Sequence, residues 1–131
     1  MILVDTSVWI DHLRVGEPRL ADALSEGMVC SHPLVRGELA CGNLRNRREI
    51  LSLLAELPAV PVATDAEALA FIERRRLMGR GIGYADVHLL ASTALAVTAR
   101  LWTRDKRLAA VASELELSFA QAHAPAARGA E

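Results

Sequence analysis

The chain opens on Ile2, Leu3 and Val4, an unbroken apolar run that stops at Asp5, Thr6 and Ser7. Such a run followed by capping residues predicts a buried strand over 1–4 that feeds a helix over 8–13. Gly16 and Pro18 break the pattern. A helix over 19–26 then ends at Gly27, a strand follows over 28–30, and Ser31 and Pro33 open a helix that carries Glu38. Beyond Gly42 and Asn43 the periodicity predicts a helix over 47–57, and Pro58 and Pro61 frame an extended piece around 60–62. Asp65 is placed to cap the next helix, over 65–78. A loop punctuated by Gly79, Gly81 and Gly83 precedes an apolar-periodic helix over 84–99 with Asp86 in its first turn. Leu101, Trp102 and Thr103 read as a third strand, Asp105 starts a helix to about residue 115, and 117–119 reads as a last strand.

Short strands alternating with helices predict an α/β fold with a mainly parallel central sheet. Neither an internal repeat nor a domain boundary is visible, and 131 residues suit one domain. The expected domain is residues 1–121, with 122–131, rich in alanine, as an unstructured tail.

Ligands of open parallel sheets bind where strands end and the chain turns into helices, and Asp5 and Asp105 both fall at such turns. Each also suits a helix cap, as does Asp86. Helical projection at roughly 100° per residue sets Glu38 on one face with Leu34, Val35 and Cys41, a carboxylate in an apolar stripe. Asp86 projects in line with Leu90, Thr93 and Val97, toward the expected core. Buried acids need a partner, and no arginine is evidently aimed inward to serve both. Carboxylates gathered at one point repel, so some protonate or a cation enters. An all-oxygen donor set without His or Cys selects Mg²⁺ or Mn²⁺ over Zn²⁺, and such a site suits phosphodiester hydrolysis.

Composition narrows the partners. A 52% apolar and 24% charged chain is that of a globular protein, and no run approaches the ~18 apolar residues of a membrane helix. No signal-peptide pattern follows Met1, which implies a cytoplasmic protein. The net charge of −1 offers no global attraction to nucleic acid, but basic residues cluster at Arg45, Arg47 and Arg48, at Arg74, Arg75, Arg76 and Arg80, and at Arg104, Lys106 and Arg107. These clusters are either solvated helix faces or phosphate contacts. Cys30 and Cys41 read as reduced core thiols, and Trp9 and Trp102 as core. The four histidines have no mutual ligand spacing, and His88 projects away from Asp86 toward the surface.

MILVDTSVWIDHL, VRGELACG, GYADVHLLAS and LWTRDKRLAAVA together resemble the four acidic motifs of PIN domains, specifically of VapC toxins from bacterial toxin–antitoxin pairs. The resemblance spans nearly the whole chain. It implies a three-layer α/β/α PIN-like domain, Mg²⁺- or Mn²⁺-dependent endoribonuclease activity, inhibition by a small cognate VapB antitoxin, and homodimerisation. It implies Asp5 and Asp86 as principal metal ligands, Glu38 and Asp105 completing the pocket, and Thr6 and Thr103 as hydroxyls that orient the acids. RNA targets in the family are often tRNA. A haloacid-dehalogenase-like phosphatase also puts an Asp after its first strand, but it needs a second Asp two positions on, where this chain has Ser7. The remaining alternative is a non-catalytic PIN-like module that binds metal or RNA without cutting.

Overall fold

The computed structural model describes residues 1–119; the expected tail over 122–131, the boundary at 121 and His123 lie outside them. Strand β1 (Ile2–Val4) is central and pairs in parallel with β2 (Val29–Cys30) on one side and β3 (Arg100–Trp102) on the other. Leu3 sits opposite Cys30 and Leu101. All three β1 residues are buried, as the middle strand of a parallel sheet covered on both faces requires. Parallel bridges Ser31–Ala59 and Leu101–Ser118 extend the sheet by one residue at each edge. The last strand expected over 117–119 is reduced to that single bridge.

Seven helices among the described residues complete the α/β/α arrangement: α1 (Thr6–Val15), α2 (Pro18–Ser25), α3 (Pro33–Ala40), α4 (Arg47–Glu56), α5 (Asp65–Arg75), α6 (Tyr84–Leu95) and α7 (Lys106–Glu114). Helix α3 packs between α1 and α4, while α6 lies against α5 and β3. The core between them holds Leu3, Val8, Trp9, Leu20, Leu54, Leu90, Leu101 and Leu108, all essentially without solvent contact. Each such side chain contributes roughly 1.5–3 kcal/mol by leaving water. Trp9 and Trp102 are core residues, as the pattern predicts.

Local chemistry sets the element ends. Thr64, not Asp65, caps α5: its hydroxyl accepts from Glu67 N–H while Glu67 reaches back to Thr64 N–H. Helix α5 stops at Arg75 rather than at 78, because Arg76 adopts a left-handed conformation (φ 55°). Helix α6 stops at Leu95 rather than 99; Val97, at φ 62°, turns the chain back so that Arg100 can enter the sheet beside Ile2. Val97 is therefore exposed rather than in the core. Cys30 is buried as expected, but Cys41 follows the last turn of α3 and is exposed.

Candidate active site

The carboxyl ends of β1 and β3 lie side by side, because Val4 is paired with Trp102. Asp5 and Thr103 follow them directly, and the Thr103 hydroxyl donates to Asp5 Oδ2 at 2.7 Å. Asp5 occupies the N-cap position of α1, yet its side chain makes no capping bond, so the capping explanation does not hold for it. Its carboxylate, 7% exposed, is instead held by hydroxyls: Ser7 Oγ also donates to Oδ2, at 3.2 Å. Ser7 accepts the backbone N–H of Arg104 at 3.0 Å, which ties the start of α1 to the β3–α7 turn. Sequence reasoning left Ser7 outside the site; its spacing of two from Asp5 was the available signal.

The other acids are fixed in similar ways. Asp105 caps α7, its Oδ1 accepting Leu108 N–H at 2.9 Å, while its own N–H donates to Thr103 Oγ1. Asp86, in the first turn of α6, accepts Gly83 N–H through Oδ2 at 3.0 Å. Glu38, on α3, accepts the Thr6 hydroxyl through Oε1. Glu38 is exposed, not set in an apolar stripe, because Val35 and Leu39 form the buried face of α3 while Leu34 and Glu38 are exposed, Glu38 lining the cleft beside α1.

One electrostatic signature joins all four acids. The Asp86 carboxyl is raised above its ordinary pKa by burial first, against the lowering effect of the Gly83 N–H, and then by the negative charges of Asp5, Asp105 and Glu38. Among the described residues no three His, Cys, Asp or Glu side chains lie close enough to hold a metal ion together. The donor chemistry nevertheless fits a hard divalent cation. Each carboxylate uses one oxygen in a hydrogen bond with the protein, and the second oxygen of each makes none among the described residues.

His88 is not a surface residue. It is buried, with Nε2 3.0 Å from Asp65 Oδ1, and its ring meets Tyr84 edge to face at 4.7 Å. Of the basic residues, Arg104 pairs with Asp11 and Glu17, Arg80 with Glu114, and Arg47 donates to the carbonyls of Ala40 and Gly42 behind α3. These three serve the fold. No helix among the described residues is long and apolar enough to cross a membrane.

A parallel sheet with acids gathered at its carboxyl edge is the arrangement of a PIN domain, and the PIN domain family profile matches residues 2–114. The chain belongs to that family. It is 51% identical over 121 residues to Ribonuclease VapC32 of Mycobacterium tuberculosis H37Rv, covering 92% of this chain and 98% of that protein. It is also 37% identical over 117 residues to Ribonuclease VapC19 of the same strain, covering 82% of this chain and 90% of that relative. These matches bear out the resemblance read from the four motifs.

Proposed function

We propose that the chain is a divalent-metal-dependent endoribonuclease and the toxic partner of a toxin–antitoxin pair. The observation that carries this reading is the shared negative field of Asp5, Glu38, Asp86 and Asp105 at the carboxyl end of β1 and β3. The ribonuclease names of relatives that align over most of their length support it. Asp5 and Asp86 are the principal ligands for Mg²⁺ or Mn²⁺, with Glu38 and Asp105 completing the set. When bound, the cation neutralises charge on a phosphate and activates water for attack on phosphorus. Thr103 and Ser7 hold the Asp5 carboxylate in place, Thr6 does the same for Glu38, and Gly83 N–H steadies Asp86. Hydroxyl donors of this kind keep their acids aimed.

A small cognate VapB antitoxin as inhibitor, a homodimer as the assembly and RNA, tRNA included, as substrate complete the proposal. Cleavage of total cellular RNA by wild type and by Asp86→Asn, each with Mg²⁺, Mn²⁺ or EDTA, tests it. Discrete fragments that need both metal and Asp86 support the nuclease; identical patterns in every lane leave a module that binds without cutting.

A further inference from the structure

The loop that delivers Asp86 and the turn that delivers Asp105 meet at one arginine. Arg107 stands two residues after Asp105, in the first turn of α7. Its side chain crosses to Gly81, two residues before the Gly83 whose N–H holds Asp86. The approach is close: a Cβ built on Gly81 would lie 2.8 Å from Arg107 Cδ and 2.9 Å from Nη1. Gly81 also takes φ +82°, which a side chain rarely tolerates, so its conformation reserves this position for glycine, and a side chain there would also push the Arg107 guanidinium aside.

Arg107 differs from its neighbours in what its guanidinium does. Arg104 and Arg80 are spent on carboxylates, whereas Arg107 is exposed and has neither a hydrogen bond nor an ion pair among the described residues. A planar cation beside Gly81, between two acid-bearing turns and with its donors open, suits a bidentate contact to an anionic oxygen. Four carboxylates repel a polyanion, and one divalent ion offsets only part of that charge.

We infer that Arg107 binds a phosphate of the RNA next to the one that is cut, and that the bare backbone at Gly81 leaves it room to lie there. The inference rests on the ribonuclease reading for the choice of RNA as the polyanion. Arg107 does not touch the reacting atoms; it sets how the substrate lies across the acids.

The test measures binding of a fluorescent mixed-sequence single-stranded RNA, in EDTA to prevent cleavage, between about 50 and 200 mM salt. Wild type is compared with Arg107→Ala, Arg107→Lys, Gly81→Ala and the control Arg104→Ala. Arg107→Ala weakens binding about tenfold at low salt, the size of one charge-assisted contact, and lowers the salt slope by about 0.7–1. Arg107→Lys keeps the slope and recovers part of the affinity, because the charge survives without the planar fork. Gly81→Ala weakens binding by displacing the guanidinium but keeps more of the salt slope than Arg107→Ala, because the charge remains. The Mn²⁺-induced melting shift stays as in wild type for Arg107→Ala, whereas a merely structural role for Arg107 would lower it and leave the salt slope alone. Unchanged RNA affinity and slope in Arg107→Ala overturns the inference. Absence of metal-dependent cleavage by wild type that still binds RNA through Arg107 overturns the nuclease reading instead.

Discussion

Thr103 and Asp5 are 98 positions apart in the chain and 2.7 Å apart at their side-chain oxygens. That bond exists because β3 docks beside β1 in a register that puts Val4 opposite Trp102, so the residues after each strand face one another. The Thr103 hydroxyl also accepts Asp105 N–H at 3.1 Å, so one oxygen steadies two of the acids.

Replacing Thr103 with Val removes both bonds while keeping the shape. Metal affinity and RNA cleavage fall by roughly 10–100-fold, the usual effect of losing a hydrogen bond to a ligating carboxylate. Thr103→Ser restores most of both. Titration of Mn²⁺ by melting temperature, beside cleavage rates, checks this, and undiminished metal affinity in Thr103→Val would remove the positioning role.

Asp86 carries its charge at a cost to the metal-free fold, through burial and through three neighbouring carboxylates. A raised carboxyl pKa means that stability is lost as pH climbs through the folded value, so at neutral pH the ionised acid is a burden. Asp86→Asn therefore raises the metal-free melting temperature by a few degrees, and on the proposed metal-site reading Mn²⁺ raises the wild-type midpoint by binding the folded state but moves the variant little. Calorimetry with and without millimolar Mn²⁺ reads both effects. An equal metal shift in the two proteins would strip Asp86 of its ligand role.

His32 is buried, with Nδ1 accepting Leu34 N–H at 3.0 Å and Nε2 3.1 Å from Ser92 Oγ. Burial first, then the charges of His88 and Arg36, lower its pKa from 6.5 to about 4. The unfolded imidazole takes up its proton near 6.5 and the folded one only near 4, so stability falls as pH drops between these values and levels off below. The full loss is on the order of 3 kcal/mol. Urea unfolding of wild type and His32→Asn from neutral pH downward isolates it as a difference that shrinks on acidification. A difference constant with pH would mean that His32 titrates alike in both states.

Asp65 Oδ1 accepts the Tyr84 hydroxyl and meets His88 Nε2, both at 3.0 Å, and so pins the first turn of α6 to α5. Asp65→Ala lowers the melting temperature by a few degrees and speeds amide exchange at the start of α6 more than in β1. Uniform acceleration across the chain would argue against a local clamp.

Local signals read well wherever the cause is local. The apolar run before Asp5 and the Leu101–Trp102 run before Thr103 announce strands whose ends face a site, and both strands form there. Glu38 shows the limit: periodicity finds an amphipathic helix, but an exposed leucine looks like a core one in sequence, and Leu34 is exposed beside Glu38 while Val35 and Leu39 face the core. His88 fails for another reason. Its partner Asp65 is 23 residues away on another helix, and only packing of α5 on α6 creates that pair. Ser7 reads as a capping residue in sequence, whereas in the fold it donates to Asp5 and accepts the Arg104 N–H that arrives from the far end of the domain, a contact no local pattern announces.

The order of the chain has a consequence for its synthesis. Asp5 and Glu38 leave the ribosome early, but β3 and the turn bearing Thr103 and Asp105 come only after residue 99. Until that segment emerges, β1 lacks the neighbour that aligns Asp5, and no partial product carries all four acids on a completed sheet.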